Sequence, residues 1–306
     1  MTRRQAVPVH PVFFLLLALM LALSACQDSP EVPVFTPTAS TETSANDDTS
    51  STPQITQQVT SEPIQPSPTP DCRLQGGTVL NEKINSETLG DSLYFDIYLP
   101  PCYDADAEAR FPVVYLLHGL SYRQDQWQRL GLVSTMDDLI AEGELSPFIA
   151  VMPLESPFVS PKVSQYGNAL VFDLIPWVDG HYQTLPEKNY RAIAGVSRGA
   201  AWAIHLGFDQ YELFSRVGAH SLPFFEADTH YLPGWLDLAD QDLPLFFIDI
   251  GNNDGEWKTA EIIADALDEN GIPHEWYLFT GDHTEEYWSS HLETYLRWYA
   301  ADWGEP

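Results

Sequence analysis

Residues 191–199 read RAIAGVSRG and carry the most specific signal in this sequence. The apolar run at residues 191–195 is typical of a short buried strand, and residues 198–208 have the pattern of a helix. The glycines two residues before and two residues after Ser197 permit a tight, strained turn between the two elements. Such a turn would hold the serine hydroxyl at the carboxyl edge of a sheet, beside a helix N-terminus. The alternative is a serine that caps a helix after a glycine turn.

Strand and helix patterns alternate on both sides of this turn. Apolar runs predict strands at residues 111–117, 147–152, 191–195, 214–219, 245–250 and 274–279, and helical patterns occur at 132–144, 168–183, 198–208, 258–270 and 285–300. Before them, residues 77–85 and 92–99 predict an antiparallel hairpin with a polar turn. The alternation predicts an α/β fold, with a mainly parallel central sheet, helices on both faces and an N-terminal hairpin.

A serine hydroxyl needs a base to remove its proton and a carboxylate to orient that base, so both are expected later in the chain. Asp254 follows the strand at residues 245–250, on a loop at the carboxyl edge of the sheet. Asp249 lies inside that strand and Asp242 precedes it, which makes both less suitable. We predict Asp254 as the acid, the alternative being a turn or helix-capping aspartate.

Three histidines follow Asp254 in the sequence. His274 begins a strand at the wrong end, and His291 lies in the middle of a helix. His283 comes directly after the strand at residues 274–279, where a loop can reach back to Ser197. We predict His283 as the general base, and Ser197, Asp254 and His283 as a catalytic triad.

A tetrahedral intermediate requires backbone donors aimed at its oxyanion. One donor is predicted to be the amide of Arg198, at the helix start. The other is predicted in the loop after the strand at residues 111–117, as the amide of Leu120. His118 is interpreted as a residue that shapes this loop. The Arg198 side chain could contact a carbonyl or carboxylate of the substrate, or pair with a nearby acidic side chain.

Substrate contacts are predicted at Trp127, which follows the oxyanion loop. They are also predicted at His220 and Trp235, which lie in the segment 220–244 between two predicted strands. Aromatic side chains between two strands of a hydrolase often line the pocket, but they equally form a small satellite core. His220 is interpreted as pocket-lining or packed.

The N-terminus has the pattern of a targeting segment. Residues 1–26 combine basic residues with an apolar run too short for a membrane span, and the sequence LSAC ends at Cys26. This predicts a lipoprotein signal peptide with Cys26 lipidated, the alternative being an ordinary cleaved leader. Residues 27–70 are rich in Ser, Thr and Pro and predict a disordered linker. Residues 71–306 then form the catalytic domain of an extracytoplasmic lipoprotein, held at a membrane only by its lipid.

The chain is strongly acidic, with 44 Asp and Glu residues against 14 Lys and Arg. A nucleic-acid partner is excluded because phosphate binding requires clustered cations. The sequence also lacks a His-x-x-x-His motif or a closely spaced Cys/His cluster, so no metal site is predicted. Cys26 is assigned to the lipid, which leaves Cys72 and Cys102. These two cysteines flank the strands of the predicted hairpin at nearly opposite positions, so the hairpin would bring them close together. In an oxidising compartment this predicts a structural disulfide.

Five motifs occur together and in order: YLPP at residues 98–101, YLLHG at 115–119, LIPWV at 174–178, AIAGVSRG at 192–199 and GDH at 281–283. This set resembles the Putative esterase family of the α/β-hydrolase superfamily, which includes esterase D, enterochelin esterases, feruloyl and acetyl-xylan esterases, and mycolyltransferases. The resemblance implies an α/β-hydrolase fold that needs no metal or organic cofactor, and it carries the nucleophile, acid and base onto Ser197, Asp254 and His283. Many members have a small or Met-type residue where this chain has Arg198, so substrate choice does not transfer.

We therefore predict a serine carboxylic-ester hydrolase that acts on an external small-molecule or glycan ester, such as a feruloyl or acetyl ester of a carbohydrate. The alternatives are an acyltransferase similar to mycolyltransferases, in which an alcohol replaces water, and a siderophore esterase. A surface-displayed binding module that kept the fold is a further alternative, which the intact order of the triad residues disfavours.

Overall fold

The computed structural model describes residues 71–103 and 108–304. The predicted signal peptide, the predicted lipidation site Cys26 and the predicted linker at residues 27–70 lie outside these ranges. Among the described residues, no helix combines the length and the apolar character needed to cross a membrane.

Within residues 71–103 and 108–304, eight strands form a single sheet. They are β1 (Thr78–Ser86), β2 (Asp91–Leu99), β3 (Val113–Leu117), β4 (Ile149–Pro153), β5 (Arg191–Val196), β6 (Arg216–His220), β7 (Leu245–Gly251) and β8 (His274–Phe279). Their order across the sheet is β1-β2-β4-β3-β5-β6-β7-β8, and all neighbours from β4 to β8 run parallel. β1 and β2 pair antiparallel, and β2 joins β4 antiparallel. The predicted α/β class with a mainly parallel sheet is confirmed.

Helices cover both faces of the sheet. They are α1 (Gln126–Arg129), α2 (Leu132–Ala141), α3 (Tyr166–Ala169), α4 (Ile175–His181), α5 (Arg198–Asp209), α6 (Leu232–Leu236), α7 (Trp257–Glu269) and α8 (Glu285–Ala300). Successive side chains of a strand point to opposite faces, so Ile193 of β5 packs in one hydrophobic cluster with α4, α5 and α7. Its neighbours Ala192 and Ala194 pack in the other cluster, with α2 and α8.

Most differences from the predicted elements are shifts of one to three residues at their ends. The main exception is the helix predicted at residues 168–183, which is α3, a π-helical turn at Leu170–Leu174 and α4 in succession. Phe111, predicted to begin a strand, instead forms an isolated bridge with Thr184.

The N-terminal hairpin pairs Thr78 with Leu99 and Ser86 with Asp91, and Cys72 forms a disulfide with Cys102 beyond its open end. Because β2 runs antiparallel to β4, this disulfide lies at the edge where the parallel strands begin. The active-site loops leave the opposite edge. Among the described residues, the one group of potential metal ligands contains these two cysteines, and the disulfide removes their thiolates.

Candidate active site

Ser197 lies in the turn between β5 and α5, with backbone angles φ 54° and ψ −122°. A residue with a side chain rarely adopts this conformation, and such strain is typical of an exposed nucleophile. The turn is tight because a Cβ on Gly195 would lie 2.2 Å from the carbonyl carbon of Gly199. A Cβ on Gly199 would in turn lie 2.2 Å from the carbonyl oxygen of Leu117 at the end of β3. Glycine at both positions therefore lets α5 begin against the sheet edge.

The structure brings the three predicted triad residues into contact. The Nε2 of His283 lies 2.8 Å from the Oγ of Ser197, and its Nδ1 lies 2.7 Å from the Oδ2 of Asp254. In the resting state, the Nδ1–H of His283 donates to the carboxylate, which leaves Nε2 free to accept the serine proton. This is the geometry that a general base requires.

Asp254 is buried, and its carboxylate is held from several sides. Its Oδ1 accepts a hydrogen bond of 3.0 Å from the amide of Glu256, and its Oδ2 lies 2.7 Å from Nδ1 of His283. Burial raises the pKa of Asp254, but the hydrogen bonds from His283 and Glu256, together with the Ser221 hydroxyl, outweigh that effect and leave its pKa below the ordinary value. Asp254 is therefore ionised at neutral pH and can stabilise a protonated His283.

The loops that carry the acid and the base are packed directly on each other. A Cβ on Gly251 would lie 2.3 Å from the carbonyl oxygen of Gly281, so only glycine fits at the end of β7. The same carbonyl oxygen accepts a hydrogen bond of 2.9 Å from the amide of Asn253. These backbone contacts fix the separation of Asp254 and His283 before any substrate binds.

The loop after β3 lies beside the nucleophile, as the predicted oxyanion hole requires. A Cβ on Gly119 would lie 3.5 Å from the Cβ of Ser197, and the amide of Gly119 donates to Oε1 of the buried Gln126 at 2.8 Å. Leu120 follows in this loop. Arg198 is the first residue of α5, where amides have no partner within the helix. Arg198 thus follows Ser197 directly, and Leu120 follows Gly119, which lies beside Ser197.

The Arg198 side chain pairs with an acidic residue, which is one of the two predicted alternatives. Its Nε lies 2.7 Å from Oε2 of Glu155, its Nη2 lies 2.5 Å from Oε1, and the same Nη2 donates to the carbonyl oxygen of Val159 at 2.7 Å. The guanidinium carbon also lies 5.4 Å from the ring centre of Phe225. Sequence reasoning did not identify Glu155, because the loop after β4 carries no motif that marks it as the partner of α5.

The structure corrects all three substrate-binding predictions, because Trp127, His220 and Trp235 are buried. Trp127 donates its indole N–H to the carbonyl oxygen of Leu117 at 3.2 Å. It is the second residue of α1, and its ring packs in the hydrophobic core. Trp235 stacks on Phe208 and packs in the same large hydrophobic cluster as α4, α5 and α7, so it is a core residue but not part of a separate small core.

His220 is the last residue of β6, is fully buried and takes part in a polar cluster. Its Nδ1 lies 2.5 Å from the Oδ1 of Asp249, and its Nε2 lies 2.5 Å from the hydroxyl of Tyr299. The hydroxyl groups of Tyr287 and Tyr295 donate to the other carboxylate oxygen of Asp249, at 2.6 and 2.8 Å. His220 reaches the site only through its backbone, where its carbonyl oxygen accepts the amide hydrogen of Ser197 at 2.8 Å.

Four exposed apolar side chains lie on the two loops that contact Gly119 and Arg198, the neighbours of the nucleophile. Leu120 and Tyr122 lie on the loop after β3, and Phe158 and Val159 on the loop after β4. Such residues are unusual at one place on a soluble surface unless the place binds something. These four residues are called the apolar rim below.

A model of the Putative esterase family matches residues 86–299. A stretch of 146 residues is 34% identical to an endo-1,4-beta-xylanase/feruloyl esterase of Xylanibacter ruminicola, and this stretch covers 44% of this chain and 20% of that protein. An esterase of Mycobacterium tuberculosis is 27% identical over 176 residues, 53% of this chain and 36% of that protein. The chain therefore matches only a fifth to about a third of the length of these relatives. A solved ferulic acid esterase has the same fold, with a TM-score of 0.67 at 23% identity, over 75% of this chain and 99% of the other.

Proposed function

Because the chain belongs to the Putative esterase family, we propose that it hydrolyses carboxylic esters through an acyl intermediate on Ser197. The chain is an esterase, and the resemblance in the sequence motifs is confirmed. The observation that carries the serine mechanism is the continuous chain of hydrogen bonds from the Oγ of Ser197 through His283 to Asp254, at 2.8 and 2.7 Å.

In the proposed reaction, Nε2 of His283 removes the proton of Ser197 while Oγ attacks the ester carbonyl carbon. The negative charge that develops on the carbonyl oxygen is stabilised by the amides of Leu120 and Arg198. His283 then gives its proton to the departing alcohol, which leaves an acyl-serine. A water molecule, deprotonated by the same imidazole, releases the acid and restores Ser197. Asp254 keeps the imidazole in the required tautomer throughout.

We propose a hydroxycinnamoyl ester, of the feruloyl type, as the substrate. Two similar proteins are named as feruloyl or ferulic acid esterases. The apolar rim supports the same choice, because it offers aromatic and aliphatic side chains beside Ser197 to an aromatic acyl group. A carbohydrate that carries such an ester would leave as the alcohol.

We also propose that the chain acts outside the cytoplasm as a lipoprotein. The leader pattern at residues 1–26, with its terminal Cys26, supports an exported chain. The disulfide between Cys72 and Cys102 supports an oxidising compartment, where such bonds persist.

The mechanism is tested with the purified full chain on methyl ferulate, methyl sinapate and methyl acetate. Ser197→Ala should lower kcat by at least about 10³-fold, and a fluorophosphonate should add to Ser197 in the wild type, as detected by mass spectrometry of the peptide. His283→Ala should slow that labelling. Wild-type activity in Ser197→Ala, or labelling at another residue, would overturn the proposed mechanism.

A further inference from the structure

We propose that Glu155 is a positioning residue that fixes both amide donors of the oxyanion hole, one through its side chain and the other through its backbone. The inference rests on the serine mechanism proposed above. It concerns a feature of this particular chain, the pair formed by Glu155 and Arg198.

The side chain of Glu155 fixes the first donor. Its two carboxylate oxygens bind Nε and Nη2 of Arg198, at 2.7 and 2.5 Å, in the two-point geometry that Arg and a carboxylate form best. Glu155 is 2% exposed and the Arg198 side chain 13%, so little water competes with this pair. The amide of Arg198 belongs to the same residue as the held guanidinium. Anchoring the side chain therefore restrains the first turn of α5 and the direction of that amide.

The backbone of Glu155 fixes the second donor through His118. The amide of Glu155 donates to Nε2 of His118 at 2.9 Å, so the hydrogen of this buried imidazole is on Nδ1. Nδ1 then donates to the carbonyl oxygen of Gly119 at 2.8 Å. That carbonyl belongs to the same planar peptide unit as the amide of Leu120. In a trans peptide the C=O and N–H point in opposite directions, so a fixed carbonyl fixes the amide.

His118 can perform this task only when it is neutral, because a protonated Nε2 cannot accept a hydrogen bond. Burial lowers the pKa of His118 below its ordinary value, and the nearby Arg123 and Arg198 act in the same direction. The hydrogen bond to the carbonyl oxygen of Gly119 and the negative charge of Asp125 oppose this shift without reversing it. The imidazole of His118 is therefore neutral near pH 7, and the hydrogen bonds that link Glu155 to Gly119 are maintained.

Both sets of hydrogen bonds begin at Glu155. The loop after β4, which carries Glu155, therefore connects the loop after β3 to the start of α5. Oxyanion stabilisation depends on donor positions within a fraction of an ångström, and a displacement of about 1 Å can lower a rate by about 10²-fold. Loss of the carboxylate should thus slow the chemical step without weakening ground-state binding.

The test compares Glu155→Gln with the wild-type full chain on methyl ferulate. We expect kcat to fall by about 10- to 100-fold with little change in KM, because the defect is confined to the transition state. A boronic acid that forms a tetrahedral adduct with Ser197 should lose affinity by a similar factor, whereas the affinity for ferulate should not change. Glu144→Gln is the matched control, because it removes a carboxylate that pairs with Arg297 of α8 on the surface, and it should leave all these quantities unchanged.

A second variant covers the case in which Glu155→Gln fails to fold. Glu155→Leu combined with Arg198→Met removes both buried charges, a change that proteins often tolerate. Its kcat should also fall, and boronate affinity with it. Wild-type kcat in either folded variant, or a defect in KM alone, overturns the proposal. If Ser197→Ala is itself active, the serine mechanism has failed instead, which separates the two outcomes.

Discussion

The hydroxyl of Ser221 accepts a hydrogen bond of 2.9 Å from the indole N–H of Trp288. Both side chains are buried, and the Ser221 hydroxyl helps to lower the pKa of the Asp254 carboxyl. The Trp288 ring stands edge-on to the imidazole of His283, with ring centres 5.2 Å apart. Ser221 has a positive φ of 55°, a strained value that persists only where the surroundings enforce it. Ser221 and Trp288 thus contact each other, and the Trp288 ring packs against the imidazole of the triad base.

Ser221→Ala should lower kcat by about tenfold while KM stays the same, because it removes a hydroxyl that favours the ionised form of Asp254 and that accepts the hydrogen bond from Trp288. Ser221→Gly is the matched variant, since it loses the same hydroxyl but tolerates the positive φ. Steady-state kinetics should show equal losses in both variants. Thermal unfolding should show a higher Tm for Ser221→Gly. A Ser221→Ala enzyme with wild-type kcat would show that Asp254 does not need this hydroxyl.

The triad could be predicted from the sequence because each member lies at the carboxyl end of a strand, and parallel strands bring those ends to one edge. The supporting residues could not. Ser221 follows β6 with no motif, and its role depends on Trp288, which α8 brings from much later in the chain. Trp127 lies next to the oxyanion loop in the sequence, but the direction of its side chain depends on where α1 begins. Local patterns specify elements and loops, whereas side-chain partners depend on packing between distant elements.

Asp254→Asn should reduce kcat by about 10³- to 10⁴-fold, because an amide no longer holds His283 in the productive tautomer. Asp265→Asn, on the exposed side of α7, is the control and should retain full activity. Rates measured with methyl ferulate at saturating concentration check both. Activity of Asp254→Asn close to the wild type would remove Asp254 from the triad.

The same substitution should change how stability depends on pH. The pKa of Asp254 is lower in the folded chain than in the unfolded one, where it is about 3.9. The unfolded chain therefore binds more protons near that pH, and this carboxylate contributes stability that is complete above about pH 5. The contribution is lost as the pH falls through the lowered folded pKa. Urea unfolding should thus show a larger free-energy difference between wild type and Asp254→Asn at pH 6 than at pH 3. A constant difference would contradict the lowered pKa.

His220→Ala should lower the free energy of unfolding by about 3 kcal/mol, because it removes one of the partners of the buried Asp249 carboxylate. The KM for methyl ferulate should not change, because the His220 side chain is fully buried and cannot contact the substrate. Urea denaturation followed by tryptophan fluorescence measures the first quantity and steady-state kinetics the second. A raised KM in a variant of normal stability would return His220 to the substrate pocket.

Replacing Cys72 and Cys102 together by serine should lower the free energy of unfolding by about 3 kcal/mol, because the disulfide restricts the unfolded chain. The activity of the folded double variant should equal that of the wild type, since the disulfide and Ser197 lie at opposite edges of the sheet. A reducing agent should destabilise the wild type and leave the variant unaffected. Loss of kcat in the folded variant would mean that the hairpin influences the site.

Tyr122→Ala tests the role of the apolar rim in substrate choice. The Cδ2 of Tyr122 and the Cβ of Ser197 both lie 3.5 Å from the position of a Cβ on Gly119, which puts the ring close to the nucleophile. A ring contact with an aromatic acyl group contributes about 0.5–1.5 kcal/mol, so KM for methyl ferulate should rise about 2- to 10-fold. Methyl acetate has the same leaving alcohol but no ring, and its KM should not change.

Two further variants separate contact from a general loss of structure. Tyr122→Phe keeps the ring and should behave as the wild type. Tyr277→Ala removes an exposed tyrosine from β8 and should affect neither ester. If Tyr122→Ala altered KM equally for both esters, the ring would act on the loop after β3 and not on the acyl group. The preference for hydroxycinnamoyl esters would then have to come from Phe158 and Val159, on the other side of the rim.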